Sequence, residues 1–357
     1  MRGRVLVAGF ATRHVAQSAA RAGYEVCAVD HFCDQDLSWY TRDRIRFEDL
    51  DGLPDAIARM GGRYSFDFAI ATSGAESLTF PVPLCGTPRE RVERFLDKLA
   101  MQHFFENLGV PVPRIARDGE YPVMAKPRQG AGGWRNAVIP DAATETAWAA
   151  LYPDIPYLRQ EVVRGIPASV CCVADGTAAR AVATNEQLLR GNGESAFGFS
   201  GSVTPFDHPL AAEMAALAEK IAAASGCMGT IGVDFVVGDT TPVVIEVNPR
   251  FQGTLDTAEA AYGYSLFDYH VGACVGTLPE PPCPQQYAAR RILFAGRDMT
   301  LDADLSALAP AVSDIPWPGT FFEEEQAIVS VMGTGPTRDA ALAALDKNIS
   351  TVRQYMR

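Results

Sequence analysis

The stretch VVIEVNPRFQG, residues 243–253, decides how this chain is read. Val243, Val244, Ile245 and Val247 have the composition of a buried strand, yet Glu246, Asn248 and Arg250 interrupt it at every second position. Side chains alternate faces along a strand with period two, so a carboxylate, an amide and a guanidinium are expected in a row on one face. An unpaired charge is costly to bury, and the row therefore predicts something bound there.

The segment before it extends the pattern. TIGVDFVV, GDTTP and VVIEVNPR read as strand, turn and strand. With the turn centred on Thr240, Val237 faces Val243 and Asp234 faces Glu246. Directly opposed residues of an antiparallel pair have Cβ atoms about 4.5–5.5 Å apart, where two like charges repel. A hard cation between them removes the conflict, and Asn248 adds a neutral oxygen. Two carboxylates and an amide oxygen suit Mg²⁺, which keeps waters and shares its shell with substrate phosphates. The plainer alternative, edge residues in ordinary salt bridges, gives no reason for Asn248 and Arg250 to be in phase. A slip of one residue would separate the carboxylates.

A metal of this kind wants an anionic partner. Lysine occurs only at positions 98, 126, 220 and 347, arginine carrying the other positive charge. Lys126 ends an apolar strand, YPVMAK (121–126), and PRQGAGGWRNAV follows, with Gly130, Gly132 and Gly133. Glycines let backbone N–H groups approach phosphate oxygens. The spacing is not that of a P-loop, and taken alone the segment also reads as a mobile hairpin. Lys98 lies in FLDKLAMQ, on a long helix expected over 88–109 and ended by Gly109. There it is either a phosphate ligand or a helix-surface partner of Glu93.

Residues 4–30 predict a βαβ unit: RVLVAGF, TRHVAQSAARAGY, EVCAVD. Another strand, FDFAIATSG (66–74), ends at Ser73-Gly74, at the carboxyl edge of a parallel sheet where ligands usually sit. A dinucleotide fingerprint is absent, because Gly9-Phe10-Ala11-Thr12-Arg13-His14 holds one glycine. Thr12 is a fair N-cap. Arg13 is either a solvated helix-start arginine or a holder of a substrate anion. Candidate substrate contacts from this lobe are Arg13, His14, Asp30, His31, Ser73 and Glu76; Tyr262, His270 and Arg290 carry no assigned role. Further on, YLRQEVV (157–163) predicts a strand, 209–226 an alanine-rich helix, 277–288 a proline-rich connection, and AIVSVMGTGPTRDAALAAL a strand, turn and helix. Glu323, Glu324 and Glu325 read as a solvated turn.

Length bounds the architecture: 357 residues suggest two or three lobes. No apolar run reaches the roughly 18 residues of a membrane helix, and the N-terminus reads as a first core strand rather than a targeting segment. Eight cysteines without a C-x-x-C pair predict reduced thiols in a cytoplasmic protein rather than a zinc ribbon. A formal charge of −12 disfavours nonspecific nucleic-acid binding, which needs a positive footprint, but leaves room for a small anionic ligand.

Taken in order, these pieces resemble the ATP-grasp superfamily: D-K in a helix, G-V-P-V-P, a strand ending K-P, a glycine-rich loop, Q-E-V-V-x-G, then G-V-D-F…I-E-V-N-P-R. They cover about residues 86–260, and they are similar to the group of predicted ATP-dependent carboligases, related to carboxylate–amine ligases and biotin carboxylase. The resemblance implies an α/β chain, α+β in its ATP-binding lobes. A Rossmann-like first domain (1–86) would precede an ATP-grasp domain (87–275, with a lid over 121–190) and a closing segment (276–357). It implies that Lys98 and Lys126 bind ATP phosphates under the loop of Gly130, Gly132 and Gly133. Gln160, Glu161, Val162 and Val163 would hold adenine, mostly through backbone groups. Asp234, Glu246 and Asn248 would ligate Mg²⁺ (or Mn²⁺), and Arg250, with Lys126, would serve catalysis on an acyl phosphate. The implied activity is an ADP-forming carboxylate–amine ligase acting on small molecules, with no nucleic-acid or membrane partner; homodimers are common in the family it resembles. The alternatives are a bicarbonate-dependent carboxylase and a non-catalytic ATP-binding regulator. Three departures stand out. The ribose-binding acid falls at Ala168. A common arginine two residues before Asp234 is Gly232. The acid that would complete a biotin carboxylase pattern after Glu246, Asn248, Arg250 and Gln252 is Thr254.

Overall fold

In the first lobe, four short apolar runs pair as a parallel sheet: β1 (Arg4–Ala8), β2 (Glu25–Asp30), β3 (Asp43–Arg46) and β4 (Phe68–Ala71), in the order β3-β2-β1-β4. The computed structural model describes residues 2–130, 132–191 and 195–356. Alternation sends Leu6, Ala8, Cys27 and Val29 toward the helix Leu53–Arg63. Val5, Val7, Val26 and Ala28 pack instead with the helix Arg13–Arg21 and with Phe251, Leu255 and Phe267 from much later in the chain. Both faces of the sheet are covered, as parallel sheets require. Thr12 stands at the helix N-cap but does not cap it. Its hydroxyl donates to Asp30 (2.8 Å), whose buried carboxylate also accepts from the N–H groups of Thr12, Phe32 and Cys33.

The helix expected over 88–109 is interrupted. A short helix Arg89–Val92 and a 3₁₀ turn precede the helix Lys98–Leu108. Asp97 is the cause: its side chain accepts from the N–H groups of Leu99 (2.8 Å) and Ala100 (3.1 Å), so a new helix starts behind it. Lys98 is thus its first residue. Glu93 pairs with Arg89 rather than with Lys98. Gly109, at φ 64°, ends the helix as expected. A small antiparallel sheet follows, β6-β5-β7, from β5 (Val123–Pro127), β6 (Ala137–Ile139) and β7 (Tyr157–Glu161), with the helix Ala142–Leu151 burying Trp148 against it.

The remaining strands are β8 (Ile166–Asp175), β9 (Ala179–Leu189), β10 (Phe199–Thr204), β11 (Met228–Val237), β12 (Pro242–Asn248), β13 (Tyr287–Phe294), β14 (Met299–Leu301), β15 (Val312–Ser313), β16 (Thr320–Phe322) and β17 (Ala327–Gly335). All but β14 and β16, which form their own ribbon, join one eight-stranded antiparallel sheet ordered β12-β11-β8-β9-β10-β13-β17-β15. The alanine-rich helix Ala211–Ser225 packs on it through Met214, Ala218 and Ile221. The helix Arg338–Val352 lies so close to β17 that a Cβ on Gly333 would sit 2.2 Å from the backbone nitrogen of Leu345. Among the described residues no helix is long and apolar enough to cross a membrane.

Candidate active site

The hairpin of β11 and β12 brings Asp234 opposite Glu246 and Gly232 opposite Asn248. The route differs from simple alternation. Val237 pairs with Pro242, not with Val243, which by itself would set Asp234 against Ile245. A bulge at Ile245 absorbs the extra residue and returns Glu246 to the register of Asp234. The bulge also explains why Val244 and Val247, three apart, both enter the core while Glu246 and Asn248 stay half-buried on the other side.

Asp234 is held on both oxygens. Gln187 Nε2 donates to Oδ1 (2.8 Å) and Asn248 Nδ2 to Oδ2 (2.9 Å). Burial, and then Glu246 across the ladder, still push its carboxyl up to about 7. A divalent cation would relieve both effects, so the donor set fits one. Gln187 has no counterpart in the sequence reading. It comes from β9, separated from β11 by β8, and no local spacing connects it with Asp234.

Lys126, on β5, belongs to the same electrostatic neighbourhood. Burial pulls its ammonium down to about 8, the nearby Glu246 works the other way, and Lys98 adds repulsion. Lys98 Nζ donates to the carbonyl of Gly130 (2.7 Å), which ties the helix start to the glycine loop. Gly130, Gly132 and Gly133 all have left-handed φ values, and a Cβ on Gly133 would lie 2.4 Å from the carbonyl oxygen of Phe197. Ala131, between them, lies outside the described residues. The expected strand 157–163 stops at Glu161, leaving Val162 and Val163 in the connection to β8. Gln160 is buried and donates to Gln102 (2.6 Å), while Glu161 exchanges bonds with the backbone of Arg114.

Arg250 joins the lobes. Its Nε meets Glu76 Oε1 at 2.6 Å, and its Nη2 donates to Asn248 Oδ1 (3.1 Å). Glu76 also accepts from the N–H of Gly74 (2.6 Å), in the turn after β4. Glu76 is therefore the first-lobe candidate that touches the hairpin row. Gly232 acquires a reason as well: a Cβ there would lie 2.5–2.9 Å from Gln252, whose amide donates to the carbonyl of Arg250. On β8, Ala168 is fully buried opposite Phe235, whereas Ser169 pairs with Asp234. Thr254 is buried at the start of the helix Leu255–Tyr262.

Other candidates are structural. Arg13 is 3% exposed and bonds Asp314 (2.8 Å) and Asp256 (3.1 Å), so it is paired within the protein rather than solvated. Arg290 completes the cluster through Asp314 (2.6 Å) and Ser330 (2.7 Å). His14 lies against it, and burial lowers its imidazole to about 4. Asp30 is spent on backbone bonds, His31 stacks on Phe10 at 4.5 Å, and the carbonyl of Ser73 accepts from Phe10 N (2.7 Å). Tyr262 is buried, and Glu323, Glu324 and Glu325 are exposed as expected.

Comparison with known proteins agrees with this geometry. The family of ATP-grasp domains matches residues 95–254. The large chain of carbamoyl phosphate synthase from Thermus thermophilus is 26% identical, over 80% of this chain and 31% of its own length; the chain thus spans about a third of the curated relatives it matches. The biotin carboxylase domain of the Hydrogenobacter thermophilus 2-oxoglutarate carboxylase, solved as a dimer with MgADP, ADP and bicarbonate, superposes with a TM-score of 0.80 at 14% identity, covering 98% of this chain and 89% of that one. Phosphoribosylamine–glycine ligase from Thermotoga maritima gives 0.75 at 15% identity, covering 97% and 96%. Residues 95–254 thus match the family of ATP-grasp domains by sequence, and the chain shares the fold of these solved structures over nearly its whole length.

Proposed function

We propose that the protein is an ADP-forming carboxylate–amine ligase. The observation that carries this reading is the row of Asp234, Glu246, Asn248 and Arg250 brought near Lys126 and Lys98. On this reading Asp234, Glu246 and Asn248 hold Mg²⁺ (or Mn²⁺), which supplies charge neutralisation at phosphate oxygens. Lys98 and Lys126 take the phosphates of ATP, and the loop of Gly130, Gly132 and Gly133 covers them. The connection Gln160, Glu161, Val162 and Val163 holds the adenine. A substrate carboxylate attacks the γ-phosphorus and ADP leaves. An amine then attacks the acyl carbon, phosphate departs, and the amine loses a proton as the C–N bond forms. Arg250 and Lys126 face the negative charge that develops on the moving phosphoryl group, so catalysis is mainly positioning and electrostatics. The likeness to phosphoribosylamine–glycine ligase supports a small acid and a small amine as substrates.

The fold shared with a biotin carboxylase domain supports a second reading, in which bicarbonate is the acid, and also the expectation of a homodimer. Thr254, buried where an acid would complete the biotin carboxylase pattern, weighs against bicarbonate. ADP release with Mg-ATP, pooled small acids and amines, with and without bicarbonate, separates the readings. ADP that needs an acid–amine pool and disappears in Glu246→Ala is the expected result. Strict dependence on bicarbonate moves the carboxylase reading to first place. Near-normal turnover in Glu246→Ala overturns the mechanism, and tight ATP binding without turnover in any pool favours a regulatory protein.

A further inference from the structure

Outside the proposed site, Cys85, His270 and Cys274 place their side-chain sulfur and nitrogen atoms within 4.8 Å of one another. Cys85 lies in the segment after β4, and Cys274 ends the helix Leu266–Cys274. Both thiols are partly exposed. The trio invites a metal, but the hydrogen bonds oppose it. His270 Nδ1 accepts the backbone N–H of Thr230 (2.9 Å), so the ring proton sits on Nε2, which faces the carbonyl of Cys85 (3.0 Å). Neither nitrogen has a lone pair to spare. The Cys274 S–H donates to the Cys85 sulfur, and His270, whose Nε2 faces the Cys85 carbonyl, lies beside the same sulfur. Together they bring the Cys85 thiol down to about 5, while the hydrogen bond to Cys85, and then burial, push Cys274 up.

We infer that Cys85 and Cys274 form a peroxide-reactive thiol pair that closes into a disulfide. The Cys85 thiolate attacks the terminal oxygen of a hydroperoxide and breaks the O–O bond, expelling hydroxide from hydrogen peroxide or alkoxide from an alkyl hydroperoxide (water or an alcohol after protonation), and becomes a sulfenic acid. The Cys274 sulfur, giving up its proton, attacks that sulfur and releases water. Two thiols are oxidised, one peroxide is reduced, and one S–S bond forms. The bond would tie the first lobe's outgoing segment to a helix packed on the main sheet. It would also stiffen the small cavity that Cys85 and His270 line together with Glu76 and Arg250.

The test treats the intact chain with about one equivalent of hydrogen peroxide, alkylates it and maps the peptides. A Cys85–Cys274 disulfide, reversed by dithiothreitol, is expected before any other thiol reacts. In Cys274→Ser the disulfide is lost and a dimedone-trapped sulfenic acid is expected at Cys85. At pH 6, Cys85 should alkylate about tenfold faster than the exposed Cys283. Cys85 remaining a thiol while Cys283 oxidises overturns the inference, as does alkylation of Cys85 no faster than Cys283. Should Cys274→Ser fail to fold, the wild-type peptide map alone decides.

Discussion

Asp234 holds its proton up to about pH 7 when folded, against about 3.8 for an ordinary aspartate. Between those values the folded, metal-free chain binds more protons than the unfolded one, so its stability falls as pH rises through that window. Glu246→Gln removes the like charge opposite. It is expected to raise the melting temperature of the metal-free protein at pH 8 by about 2 °C, with no gain at pH 4, and, on the proposed function, to remove Mg-dependent turnover. Calorimetry at the two pH values measures the first effect. Gln187→Leu removes a donor that favours the ionised carboxyl, so the acid limb of the kcat/KM profile should move up by about half a pH unit. An unmoved limb would show that Gln187 only packs. Glu246, Asn248 and Arg250 were legible because their spacing is local and charged groups are rare in apolar strands. Gln187 was not, because its contact depends on strand order, which no neighbouring residue encodes.

Among the elements, the β11–β12 hairpin shows how a right pairing can follow from an incomplete premise. Period-two reasoning put Asp234 opposite Glu246, and so does the fold, yet the turn register is offset by one and the bulge at Ile245 restores it. A bulge has no sequence mark when its residue is an ordinary isoleucine. The broken helix before Lys98 was open to a closer reading, since Asp97 has the side chain of an N-cap. The glycine loop separates two effects. Gly132→Ala meets open space and carries only the strain of a positive φ, about 1 kcal/mol, whereas Gly133→Ala also meets the backbone at Phe197. Gly133→Ala is therefore expected to weaken ATP binding about tenfold, and Gly132→Ala by less, with global melting little changed in both. Titration calorimetry beside thermal melts checks this.

Across the whole molecule, the first lobe is held by charge as well as by apolar packing. Arg13, Asp36, Asp256, Asp314 and Arg290 come from five separate stretches and meet in one buried cluster. The two arginines hold the Asp256 and Asp314 carboxyls below the ordinary aspartate value, although burial alone would raise them. That contribution is present above about pH 4 and is lost as pH falls below it. Arg13→Met leaves Asp36, Asp256 and Asp314 with Arg290 as the one remaining arginine of the cluster and should destabilise the chain by about 3 kcal/mol in urea unfolding at pH 7, leaving ATP affinity of the folded fraction unchanged. The cluster escaped the sequence reading because each member, taken alone, looks like a surface charge.

The contact between Arg250 and Glu76 carries a consequence for the proposed reaction. The guanidinium is occupied by a carboxylate of the protein's own, presented by the turn after β4. On the proposed function an incoming acid must take Glu76's place, so the chain carries a stand-in for its substrate. On the same reading Arg250 would stay withheld from the phosphoryl group until that exchange, and nucleotide would be spared from idle hydrolysis. The first lobe would then act as a gatekeeper of ATP, admitting chemistry only when a genuine acid has displaced the impostor.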